Sequence, residues 1–146
     1  MSRVALARVA QPAPDAPLRF AGYAAIFGVA DGAKDVIRPG AFAASLAARQ
    51  EPLPLFWQHR PEMRIGTVEQ IAEDARGLRV IARIDNPQGR AATLLWNRAV
   101  SGLSFGYRAR AFRNLGEGRS LEAIDIFEVS LVTHPLQHGA RVHLVC

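Results

Sequence analysis

The sequence predicts an α+β fold: a mainly antiparallel, barrel-like or strongly bent sheet flanked by helices. Three observations lead there, namely many short segments with apolar residues at period two, only two segments with helical spacing, and no regular alternation of strand with helix. With 146 residues, 49% apolar and 21% charged, the chain is expected to form a single domain over 1–146 with a core of its own.

Ser2 to Ala10 and Arg19 to Phe27 carry alternating small apolar residues and read as strands, separated by the proline-rich piece Gln11 to Pro17. Val29-Ala30-Asp31-Gly32 and Arg38-Pro39-Gly40 supply turn chemistry. Phe42 and Leu46, in an alanine-rich segment ending near Arg49, predict a short helix that Pro52 keeps from continuing. Leu53 to Gln58 and Ile65 to Ala72 read as strands, with His59 opening the loop between them. Gly77 to Asp85 is the clearest strand, since Leu78, Val80, Ala82 and Ile84 alternate with Arg79, Ile81, Arg83 and Asp85. Asn86 suits an N-cap and Pro87 a first helical residue, and the stripe Ala91, Leu94, Leu95 and Ala99 predicts a helix that Gly102 closes. Leu103 to Phe112 is then a strand, Asn114 to Gly118 a turn, and Leu121 to Thr133 the final long strand, ending before Pro135.

Several function classes are disfavoured. No apolar run approaches the roughly 18 residues that span a bilayer, and no signal-peptide pattern opens the chain, so an intracellular protein with no membrane partner is expected. The single cysteine, Cys146, leaves no disulfide framework and no multi-cysteine metal site. Net charge is +5, and of 18 basic residues only Lys34 is a lysine. The arginines are scattered and alternate with apolar residues, which fits the solvated face of a sheet better than a specific nucleic-acid footprint. His134, His138 and His143 are interrupted by Pro135 and Gly139 and have no cysteine or carboxylate among them, so they read as a surface cluster, and no metal or cofactor is expected.

Three residues carry candidate chemistry. Ser104 lies in Gly102-Leu103-Ser104-Phe105-Gly106, where alternation sets Ser104 and Gly106 on an uncrowded face opposite Leu103, Phe105 and Tyr107. A serine hydroxyl needs a neighbouring base to become a nucleophile, and flanking glycines let a substrate carbonyl approach. His59, after an apolar strand and before Arg60-Pro61, is placed as such a base. Glu128 interrupts the apolar run Ile126-Phe127-Glu128-Val129-Ser130-Leu131-Val132, and a carboxylate there needs either an arginine or a histidine N–H. Serine, histidine and carboxylate together indicate a serine protease, with the imidazole between the other two. Ser130, two residues beyond Glu128, is expected to tolerate alanine if Ser104 is the nucleophile. An α/β-hydrolase-like esterase, using Ser104, Asp125 and His134 or His138, is the rival, but its elbow needs strand, turn and helix, whereas a helix precedes Ser104 and a strand follows it.

The order His59, Ile65-Gly66, Gly102-Leu103-Ser104-Phe105-Gly106-Tyr107 and Glu128-Val129-Ser130-Leu131-Val132-Thr133 resembles the prohead (head maturation) proteases of tailed phages. Gly22-Tyr23-Ala24-Ala25-Ile26-Phe27 and Ile37-Arg38-Pro39-Gly40-Ala41-Phe42 look like that family's amino-terminal strand and turn, so the resemblance covers roughly Phe20 to Val142. It implies a herpesvirus assemblin-like fold, a closed or nearly closed barrel with surrounding helices. It also implies a serine endopeptidase that cleaves the scaffolding part of the major capsid protein, and itself, inside an immature prohead in the bacterial cytoplasm. The particle is that of a phage, a prophage or a gene transfer agent. Assemblins use Ser-His-His, and the strand holding their second histidine is similar to Phe127-Glu128-Val129-Ser130-Leu131, so Glu128 stands as third member with His134 as its rival. Self-association, and a catalytically inactive capsid scaffold of the same fold, stay open at this stage.

Overall fold

The computed structural model describes residues 7–8 and 15–146. Strands dominate: β1 (Ala7–Arg8), β2 (Leu18–Ile26), β3 (Val36–Ile37), β4 (Pro54–Trp57), β5 (Arg60–Glu73), β6 (Gly77–Ile84), β7 (Gly102–Asn114), β8 (Arg119–Val132) and β9 (Val142–Val145), with helices α1 (Ala43–Ala48) and α2 (Arg90–Trp96). The strands form one mixed sheet in the order β1-β9-β2-β6-β5-β4-β8-β3, with β7 paired to β8 off that path. Among the described residues β2 with β6 and β9, β5 with β4 and β6, and β7 with β8 are antiparallel, while β1 with β9, β3 with β8 and β4 with β8 are parallel. The α+β expectation is met in its coarse form: among the described residues the chain is a strand-dominated mixed sheet with two short helices.

Period-two burial builds the core. In β6 the alternate residues Leu78, Val80, Ala82 and Ile84 are buried, and they join Phe20 of β2, Leu55 of β4 and Leu103, Val129 and Leu131 of β7 and β8 in one cluster. Phe42, fully buried just before α1, packs edge-on against Phe105 of β7. The turn leading into α1 is pinned from β5, because the Glu73 carboxylate accepts the N–H groups of Gly40 and Phe42, each at 2.8 Å. The arginines lie outside the core and several meet acids: Arg19 and Arg83 reach Glu69, Arg108 and Arg110 reach Asp125, and Arg119 reaches Asp35. The exposed pairs among them contribute on the order of 0–1 kcal/mol each, whereas the Asp35 carboxylate paired with Arg119 is buried.

Several boundaries differ from the sequence reading. There is no loop after His59: Trp57 pairs with Arg60, which leaves Gln58 and His59 as a two-residue hairpin turn, and β5 begins at Arg60. Residues 60–64 carry no apolar alternation because this end of the hairpin is exposed. α2 starts at Arg90 with Gly89 as N-cap. Asn86 does not cap it; the side chain accepts the Gln88 N–H and its carbonyl the Gly89 N–H, so the capping chemistry closes a turn instead. β8 is not the last strand, since β9 returns to pair with β2. Of the strand expected over Ser2 to Ala10, only Ala7–Arg8 falls within the described residues.

Two details position the site. β8 lies between β4 and β7, with Ser130 level with Phe56 on one side and Ser104 on the other. An isolated antiparallel bridge, Gly102 with Arg141, ties the start of β7 to the approach of β9.

Candidate active site

Register brings the site residues together. Ser104 is opposite Ser130 and Gly106 opposite Glu128, with no shift between the two rows, so the side chains of Ser104, Ser130 and Glu128 share one face of the β7/β8 ladder. Leu103, Leu131 and Val129 occupy the other face and are fully buried, which fixes which way the polar row points. Parallel pairing of β4 with β8 then carries the turn at the end of β4, and His59 with it, to the same rows.

The Glu128 carboxylate, whose side chain is 9% exposed, bonds the His59 imidazole through Oε1 to Nδ1 at 2.6 Å. A carboxylate only accepts, so Nδ1 carries the proton and Nε2 keeps the lone pair that a general base needs. Oε2 accepts the Ser130 hydroxyl, also at 2.6 Å. Of the two partners foreseen for a buried Glu128, the histidine is present and, among the described residues, no arginine is. The imidazole itself is 43% exposed. Its pKa lies above the ordinary value, raised chiefly by the hydrogen bond to Glu128 against the opposing effect of burial.

Ser104 is less open than its sequence position implied. It is only 9% exposed, so the face expected to be uncrowded is partly covered. Its hydroxyl makes no hydrogen bond to His59, and this half of the expected serine–imidazole–carboxylate chain is unmade. Contacts of this type are often long without substrate and tighten in the Michaelis complex. The flanking glycines also serve a different purpose from the one read in the sequence. A Cβ on Gly106 would stand 2.5 Å from Glu128 Oε1, and one on Gly102 would stand 2.7 Å from the Pro135 ring, so both make room for β8 and its following turn.

Ser130 is the residue that sequence reasoning undervalued. It is fully buried, it donates to Glu128, and it accepts the His59 backbone N–H at 3.1 Å. The sequence reading, which expected Ser130 to tolerate alanine, did not foresee these two bonds. A hydroxyl two residues from a buried carboxylate on the same strand face was the available signal. His134 and His138 are both exposed, and Asp125 faces Arg108 and Arg110, so the Ser104-Asp125-His esterase set is not assembled. Among the described residues no cluster of acids, histidines or cysteines is arranged to hold a metal ion, and no helix is long and apolar enough to cross a membrane.

The fold is that of the herpesvirus proteases. The structure superposes on the KSHV protease in complex with a hexapeptide phosphonate inhibitor with a TM-score of 0.61 at 17% identity, over 90% of this chain and 65% of that one. For the varicella-zoster virus protease the TM-score is 0.57 at 19% identity, over 87% and 63% of the two chains. The chain belongs to the caudovirus prohead serine protease family, whose model matches residues 7–146. It is 30% identical over 130 residues to the prohead protease of Enterobacteria phage HK97, covering 84% of this chain and 58% of that relative, so it spans under two thirds of the relative's length.

Proposed function

We propose that the chain is a serine endopeptidase of capsid maturation, with Ser104 as nucleophile, His59 as general base and acid, and Glu128 as the acid that orients the imidazole. The observation that carries this reading is the 2.6 Å contact between His59 Nδ1 and Glu128 Oε1 on the face that also holds Ser104. Ser104 Oγ attacks the peptide carbonyl carbon while its proton passes to His59 Nε2. The resulting imidazolium is stabilised by Glu128 and gives that proton to the departing amine. Water then enters, loses a proton to the same Nε2 and attacks the acyl ester, returning Ser104 to its starting form. Backbone N–H groups near Ser104 are the candidate donors to the oxyanion.

The substrate in this reading is the scaffolding part of a major capsid protein, with self-cleavage, inside an assembling prohead. Family membership supports it, because a protease enclosed in a particle meets scaffold and its own copies at high local concentration. The barrel-like reading of the sheet is supported by the Gly102–Arg141 bridge, which ties β7, the partner of β8 near one end of the strand path, to the approach of β9 near the other. Coexpression with the capsid protein of the same particle tests the function: the parent chain is expected to shorten the capsid protein at its amino-terminal side, and Ser104→Ala to leave it whole. Equal shortening by a folded Ser104→Ala protein contradicts the nucleophile, and no shortening by the parent contradicts the substrate.

A further inference from the structure

The Gln58–His59 turn is held in an unfavourable backbone form. Both residues have positive φ, 53° and 60°, a region that favours glycine or asparagine. Bonds to β8 and the residue after it hold the turn there. The Gln58 N–H donates to the Leu131 carbonyl at 3.0 Å, and its side-chain amide pairs both ways with Thr133, donating to Oγ1 at 2.7 Å and accepting the Thr133 N–H at 3.1 Å. The remaining tie is the His59 N–H to Ser130 Oγ. That same oxygen donates its proton to Glu128 Oε2.

We propose that Ser130 is a positioning residue of the catalytic site, whose single hydroxyl locks the backbone of the base and the carboxylate of the orienting acid to one atom. This rests on the reading of Ser104, His59 and Glu128 given above. A hydroxyl has one donor and two acceptor sites, so it can serve a carboxylate and an N–H at once, as no apolar side chain can. Full burial means that no bulk water replaces it. Burial also separates Ser130 from the nucleophile role, since its proton is committed to Glu128 and a peptide cannot reach it. Without the hydroxyl, Oε2 is free to turn away from the imidazole and the turn loses a tie against its strained form.

The rate at which a fluorophosphonate labels Ser104, measured against pH on the full chain, tests this without knowledge of the natural substrate. Ser130→Ala is expected to slow labelling about 10- to 100-fold, the size of a lost buried hydrogen bond expressed in rate. The acidic limb of its pH profile is expected to move down toward the ordinary histidine value, because the contact that raises His59 is loosened. In the Glu128→Gln background the same replacement is expected to cost less than about three-fold, because residues acting through one another are not additive. Ser130→Thr, which keeps the hydroxyl, is expected to stay within about five-fold of the parent. Labelling of Ser130→Ala within two-fold of the parent with an unmoved limb, equal cost in both backgrounds, or a folded Ser130→Thr protein as slow as the alanine variant overturns the proposal. Failure of the underlying reading looks different: there Ser104→Ala labels as fast as the parent, or the parent does not label at Ser104.

Discussion

Gly106 and Glu128 face each other across the β7/β8 ladder, and the Glu128 carboxylate fills the space where any larger residue at 106 would put its Cβ. The glycine is therefore a packing partner of the Glu128 carboxylate. Gly106→Ala is expected to push Glu128 Oε1 away from His59 and to lower activity about 10- to 100-fold, at a stability cost of about 1–3 kcal/mol for overpacking. Labelling rates and thermal unfolding check it, and unchanged activity in the alanine variant removes the constraint.

The three candidate residues are expected to differ in what their loss does. Ser104→Ala and His59→Ala remove attack and proton transfer, so each is expected to reduce turnover on the order of 10⁴- to 10⁶-fold. Glu128→Gln keeps an acceptor for Nδ1 and loses the charge that stabilises the imidazolium, so it is expected to fall between those variants and the parent. His134→Ala, at an exposed position, is expected to leave turnover within about two-fold of the parent. A Glu128→Gln protein at full activity with an inactive His134→Ala protein transfers the third role to His134.

Activity and stability are expected to answer pH in opposite directions. With His59 as the proposed base, catalysis requires its neutral form, and its pKa is raised, so the acidic limb is expected above about 6.5, the unperturbed value. Protonated His59 gains its Glu128 bond only in the folded chain. Its contribution to stability is therefore complete below the unfolded pKa and lost as pH rises through the higher folded one. Rate profiles and unfolding midpoints of the parent and His59→Ala between pH 5 and 9 check both limbs. A limb below the unperturbed value contradicts the geometry.

Beyond the catalytic face, the Gln137 side chain accepts the Ile26 N–H and donates to the Ile26 and Val29 carbonyls, clamping the segment after β8 to β2. Gln137→Ala removes three hydrogen bonds made by a buried side chain and is expected to cost roughly 1–3 kcal/mol. Denaturant unfolding measures it, with a change below about 0.5 kcal/mol as the contrary result.

How much of this was legible depended on whether local chemistry decided the outcome. The carboxylate of Glu128 in an apolar strand demanded an arginine or a histidine as partner, and the structure supplies His59 across 69 residues of chain. The alternation in 77–84 gave β6 nearly to the residue. Long-range pairing was another matter. β9 has a short, half-exposed pattern that pairing with β2 and β1 makes into a strand, and residues 60–64 extend β5 because a two-residue turn sets their register. Asn86 and Pro87 obeyed capping chemistry but spent it on a turn. Ser130 looked neutral because its two partners, one a backbone N–H from another strand's turn, meet only in three dimensions.

Mapping the covalent adduct of a fluorophosphonate on the folded full chain by peptide mass spectrometry tests the Ser104 assignment most directly. A single adduct on Ser104 is expected, absent from Ser104→Ala and formed far more slowly in His59→Ala. An adduct on Ser130 or another residue of the folded chain, or labelling that does not depend on His59, contradicts it.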